Sequence, residues 1–156
     1  MDISYWSRGQ AWAIYGFALS YKYTKNEEYL DLAKRAANYF IANVEENDYI
    51  PLADFRAPEE PREIDTTAAI IAASGLIELI RFILALEQPM YKQAAVNILK
   101  KIGNEYVNTD NETMGIVTHG SVNYVKDKAD EKPIIYADYF YVEALLKLLG
   151  KNLEVW

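Results

Sequence analysis

The chain lacks cysteine altogether and has a single histidine, His119. No cysteine means no disulfide, no thiolate nucleophile and no cysteine-ligated metal. One imidazole cannot build a histidine-rich zinc centre, so no metal and no cofactor is expected. A basic surplus is missing too: 16 Lys and Arg stand against 23 Asp and Glu, for a net charge of −7. That balance argues against a nucleic-acid partner, which requires a basic footprint. No apolar run reaches the length of ~18 to 20 residues that a membrane span needs, so no membrane partner is expected. The first residues, Met1-Asp2-Ile3-Ser4-Tyr5, show no basic segment followed by an apolar one. No signal peptide is therefore read, and a bacterial cytoplasmic location is the expectation.

Aromatic residues are abundant instead, with 13 Tyr, 5 Phe and 3 Trp. Most are expected to fill a helical core, while some suit a sugar site, where ring faces pack on C–H groups. The 156 residues fit one domain, 1–156, large enough to bury a core without staples.

Helical periodicity dominates. A first helix is expected from near Ser7 to Tyr23, apolar nearly all round and hence buried. Thr24-Lys25-Asn26-Glu27 has the form of a capping box. A second, amphipathic helix follows from about Asn26 to Val44, with Tyr29, Ala33, Ala36, Ala37, Phe40, Ile41 and Val44 in one stripe. Pro51, Pro58 and Pro61 break the chain between Glu45 and Ile64. Asp65 is a natural N-cap for a third helix, again apolar all round, expected to reach about Leu86. Pro89 opens an amphipathic fourth helix that runs to about Val107. After a second break, with short extended pieces expected at Gly115–Thr118 and Ser121–Val125, a fifth apolar helix runs from Ile134 to Leu149. Gly150 is its expected stop. Buried helices thus alternate with amphipathic ones, and the buried ones start roughly 60 to 70 residues apart, the mark of a repeated helical hairpin. The architecture expected is all-α: about five helices, alternately inner and outer, in part of a toroid or solenoid.

Four segments carry a family resemblance. Trp6-Ser7-Arg8-Gly9-Gln10-Ala11-Trp12-Ala13-Ile14-Tyr15-Gly16 is similar to the hallmark of the unsaturated glucuronyl hydrolases, glycoside hydrolase family 88. Tyr23-Thr24 with Tyr29-Leu30, Asp65 to Leu76, and Ile135 to Leu145 resemble later family segments in the same order. The resemblance covers about Trp6 to Leu149 and implies the C-terminal part of an (α/α)6 toroid. It also implies a reaction: removal of a 4,5-unsaturated uronic acid from the end of an oligosaccharide by hydration of its vinyl ether. An aspartic acid protonates the double bond, water adds, and the hemiketal opens.

The family's two key aspartates lie upstream of the Trp-Ser-Arg-Gly-Gln motif, so this chain holds no counterpart of either. No catalytic residue is therefore assigned, and the chain by itself is expected to be inactive. An incomplete ring exposes apolar surface, which points to a homo-oligomer or to a missing N-terminal half. Arg8 is the foremost candidate for holding substrate, because a guanidinium fork matches a uronate carboxylate. The alternative for Arg8 is a structural ion pair. The resemblance places Trp6 and Trp12 beside it, though six residues of regular helix would set them on different sides unless Trp6 precedes the helix. Lys128 is the one plausible remnant of a sulfate-binding pattern. Gln10 is expected to hold structural hydrogen bonds. Asp54, Asp65 and Asp138 are the aspartates nearest the expected site, at loops or starts of inner helices. The competing functional readings are a non-catalytic helical carbohydrate-binding or scaffold module, and one chain of a split enzyme.

Overall fold

Helix starts, stops and buried faces set the architecture of the computed structural model, which describes residues 5–56, 63–110, 114–121 and 131–151. Five α-helices occupy these residues: α1 (Ser7–Thr24), α2 (Glu27–Val44), α3 (Thr66–Leu79), α4 (Gln88–Glu105) and α5 (Ile135–Leu148). A 3-10 turn at Glu45–Asn47 follows α2, and β1 (Gly120–Ser121) pairs antiparallel with β2 (Glu131–Lys132).

α3 is the central element. All fourteen of its residues are buried, as an apolar, alanine-rich sequence requires. α1 packs on one flank and α5 on the other, with α2 behind α1 and α4 behind α3. Gly75 lets α1 approach closely: a Cβ there would lie 2.9 Å from the Tyr15 backbone nitrogen and 3.0 Å from its Cα. α2 and α4 bury only the expected stripes, Ala33, Ala37, Phe40, Ile41 and Val44 on one and Tyr91, Ala94, Ala95, Ile98, Leu99 and Ile102 on the other. The three inner helices run parallel. Arg8, Asp65 and Tyr136 meet at their starts, and Tyr15, Ser74 and Glu143 meet about two turns further on.

Several sequence expectations need correction. α1 is not buried on every side; Trp12 is 37% exposed, because α3 covers only one flank of α1. α5 likewise leaves Ile135, Val142, Leu145 and Leu148 exposed. The third helix stops at Leu79 rather than near Leu86. Its last turn tightens through bonds from Arg81 N to Glu78 O and from Phe82 N to Leu79 O. The chain then turns to bury Ile83 and to set Phe82 edge-on against Tyr21. The capping box is not formed. Thr24 ends α1 with its hydroxyl bonded back to Ser20 O, Lys25 turns left-handed at φ 57°, and Asn26 caps α2 by accepting from Glu28 N. Gly150 ends α5 at φ 71°, as expected. Of the first expected extended piece, Val117 bridges Val107; β1 covers Gly120–Ser121, and the rest of the second expected piece, 122–125, lies outside the described residues.

Candidate functional site

The starts of α1, α3 and α5 converge, and the loops before them are tied into one platform. Trp6 precedes α1 and bridges Asp54, so it stands outside the helical register that would part it from Trp12. Ser7 donates to Ala53 O through both its backbone nitrogen and its hydroxyl. Leu52 bridges Ile64, and Asp65 N donates to Pro51 O, which fixes the start of α3. The segment before β1 is tied to the same start by Thr66 N to His119 O and by the Thr66 hydroxyl to Thr118 O.

Arg8 lies at the centre and is only 3% exposed. Its Nε donates to Asp65 Oδ2 at 2.9 Å, and Nη2 stands 2.7 Å from the same oxygen. Nη2 also donates to Ser121 O, and Nη1 donates to the Tyr136 hydroxyl at 2.9 Å. The guanidinium carbon sits 5.4 Å from the Trp6 ring centre and 5.8 Å from that of Tyr136. Trp12 tilts against Tyr136, with ring centres 6.1 Å apart. Trp6, at 44% exposed, and Trp12 both keep part of their rings open beside this junction. An apolar hollow of about 440 Å³ continues from it, lined by Trp12, Tyr15, Leu19, Tyr136, Tyr139 and Phe140.

The three candidate aspartates all serve as acceptors for backbone amides. Asp54 takes Tyr5 N and Arg56 N, each at 2.8 Å. Asp65 caps α3 by accepting from Thr67 N and Ala68 N while it pairs with Arg8. Burial pushes the Asp65 carboxyl above the usual carboxylate range, against the pull of Arg8 and of the cap amides. Asp138 takes Ile116 N at 3.0 Å and Val117 N at 2.8 Å, so it holds the second loop onto α5. Gln10 makes no side-chain hydrogen bond among the described residues, contrary to expectation. Lys128 lies outside the described residues. Among the described residues, no group of three or more His, Asp or Glu side chains is placed to hold a metal ion. No helix among them is long and apolar enough to cross a membrane.

A second polar cluster, not apparent from the sequence pattern, lies two turns along the inner helices. Glu143 on α5, 1% exposed, accepts from the hydroxyls of Tyr15 at 3.0 Å, Ser74 and Tyr139. Lys147 donates to Glu143 at 3.2 Å and to Ser74 at 3.1 Å, and lies 3.5 Å from buried Glu78. Arg81 completes the charge balance at 3.3 Å from Glu78. The available signal is Glu143 and Lys147 four residues apart in the otherwise apolar second half of α5, facing Ser74 and Glu78 four apart on α3.

No family model matches the chain. An unsaturated glucuronyl hydrolase of Bacillus sp. (strain GL1) is 37% identical over 151 residues, which span 94% of this chain. Nearly the whole chain is similar in sequence to part of the unsaturated glucuronyl hydrolases. A second curated member, from Formosa agariphila, is 36% identical over 91% of the chain. The chain spans 40% and 36% of the lengths of these two relatives, in keeping with a C-terminal part. The crystal structure of the Bacillus sp. GL1 unsaturated glucuronyl hydrolase, described as responsible for glycosaminoglycan degradation, superposes with a TM-score of 0.87. It matches 94% of this chain and 40% of that one. An asparagine-for-aspartate variant of the Streptococcus agalactiae unsaturated glucuronyl hydrolase, complexed with dGlcA-GalNAc6S, superposes at 0.85 with 30% identity. It covers 95% of this chain and 40% of its own. The alternation of inner α1, α3 and α5 with outer α2 and α4 is thus part of the (α/α)6 toroid of unsaturated glucuronyl hydrolases.

Proposed function

We propose that residues 1–156 form a single domain, the C-terminal part of an unsaturated glucuronyl hydrolase toroid, and hold an oligosaccharide ending in an unsaturated uronic acid. The observation that carries this reading is the junction of Arg8, Asp65 and Tyr136 between the open rings of Trp6 and Trp12. Open aromatic faces suit the C–H faces of a sugar ring, and a cation beneath them favours a carboxylate. The starts of α1 and α5, which carry no side-chain cap, add partial positive charge at the same place. In this reading Trp6 and Trp12 contact the substrate, and buried Arg8 supplies the positive charge beneath them.

The chemistry is hydration of the vinyl ether, and it needs a carboxylic acid poised to protonate the double bond. Asp54, Asp65 and Asp138 are each engaged by backbone amides of the chain itself, and Asp65 is also paired with Arg8, so each already has a structural role. The 156-residue chain alone is therefore expected not to turn over an unsaturated disaccharide. The exposed apolar flanks of α1 and α5 support completion by another section of toroid. A second copy of this chain would cover them without supplying the acid. A bacterial cytoplasmic location fits the bacterial relatives.

The test is the ultraviolet absorbance of the conjugated double bond during incubation with the purified chain. Constant absorbance is the expected result. Steady loss, abolished by boiling, would show that the chain contains its own acid and contradict this reading.

A further inference from the structure

We propose that the Tyr136 hydroxyl is the hydrogen-bond donor that this chain offers to the carboxylate of a bound uronate, with Arg8 as the residue that positions it. The proposal rests on the saccharide-holding reading above.

The first ground is that the Arg8 fork is already in use. Nε and Nη2 both close on Asp65, Nη2 also reaches Ser121 O, and the side chain is 4% exposed. A bidentate grip on a ligand carboxylate needs two parallel N–H groups on one open edge, and that edge faces Asp65.

The second ground is the state of Tyr136. Its ring is half-buried in the first turn of α5, between Arg8 and Trp12. Its oxygen accepts from Arg8 Nη1, so its own proton is directed away from the guanidinium. Among the described residues no acceptor takes that proton. A phenol that accepts from a cationic donor is also a stronger donor itself, because successive hydrogen bonds polarise one another.

The third ground is placement. The Tyr136 ring lies against the partly exposed Trp12 ring, with centres 6.1 Å apart, and helps to line the apolar hollow. A sugar ring packed on Trp12 would bring its carboxylate to a neutral donor backed by a positive charge. That arrangement binds an anion without exposing Arg8.

The test is a calorimetric titration of the chain and its Tyr136→Phe variant with an unsaturated uronyl disaccharide and with the same disaccharide reduced at the carboxyl. The variant is expected to bind the uronate about tenfold or more weakly, the loss of one hydrogen bond to a charged group. It is expected to bind the reduced sugar as the parent chain does. Uronate affinity within about twofold of the parent would overturn the proposal while leaving the saccharide-holding reading intact. Equal losses for both sugars would also overturn it, since they report ring packing rather than a carboxylate contact. Failure of the parent chain to bind either sugar would remove the underlying reading and this proposal with it. A readout on the unaltered chain is independent of how the variant folds. With tyrosine labelled at its ζ carbon, the Tyr136 resonance should shift with the uronate and not with the reduced sugar, and the absence of any such difference would overturn the assignment.

Discussion

Arg8→Met is expected to lower the unfolding free energy by about 3 to 5 kcal/mol, the cost of removing one partner from a buried ion pair. The magnitude follows from what remains. Asp65 is fully buried, and Arg8 is the cation paired with it. The variant keeps the cap bonds from Thr67 N and Ala68 N but leaves the carboxylate without its counter-charge. Arg8 also ties Ser121 and Tyr136 to α1, so its loss releases three segments at once. Burial already holds the Asp65 carboxyl above its usual range, and without Arg8 it rises further. A carboxyl raised in the folded state binds more protons there than in the unfolded chain. Its favourable contribution is complete below the unfolded value and is lost as pH climbs through the folded one. The deficit of Arg8→Met should therefore shrink as pH is lowered from neutral into the carboxylate range. Asp65→Asn in the Arg8→Met background should recover much of it at neutral pH, because the asparagine keeps a cap acceptor and carries no charge. Urea unfolding of the two single variants and the double variant measures this. A loss below about 1 kcal/mol for Arg8→Met, or one independent of pH, would show that the pair is not buried as described.

Glu143→Ala is expected to cost a similar amount, about 3 to 5 kcal/mol, for a related reason two turns away. The carboxylate accepts from Tyr15, Ser74, Tyr139 and Lys147, and so joins α1, α3 and α5. Alanine strands those donors in a dry interior and leaves a void. Glu143→Gln keeps the volume and one acceptor oxygen, so it should fall between parent and alanine. Lys147→Met should be destabilising as well, because Glu143 and Glu78 would then share the region with Arg81 alone as a cation. In combination with Glu143→Leu it should be far less so, since a matched apolar pair replaces a matched ionic one. Thermal or urea unfolding of this set decides it. Strictly additive losses would mean that the cluster does not act as a unit.

The sequence exposes the helices better than it exposes their junctions. α1, α2 and α5 fall within a residue or two of where periodicity puts them, because caps, stripes and glycine are local signals. Periodicity carries the third helix to about Leu86, because apolar residues continue past Leu79. What ends it is tertiary: Phe82 and Ile83 gain burial only if the chain turns there. Thr24 fits the capping-box pattern, but its hydroxyl donates to Ser20 O of its own helix and accepts from Asn26 N. Arg8 stood out by residue type and motif. Its partners Asp65, Ser121 and Tyr136 lie 57, 113 and 128 residues away, separations that no periodicity reveals. By sequence pattern alone Tyr136 is one more aromatic in an apolar helix. Only the fold shows that its hydroxyl reaches Arg8 while its ring meets Trp12.

The central claim is that the converging starts of α1, α3 and α5 hold the saccharide. Its most direct test is a two-dimensional amide and indole resonance map of the isotope-labelled chain, recorded while an unsaturated uronyl disaccharide is added. Saturable shifts are predicted at the Trp6 and Trp12 indole N–H groups and at the amides of the first turns of α1, α3 and α5. A saturated map with shifts confined to the outer helices α2 and α4, or no shift at any concentration reached, would contradict it.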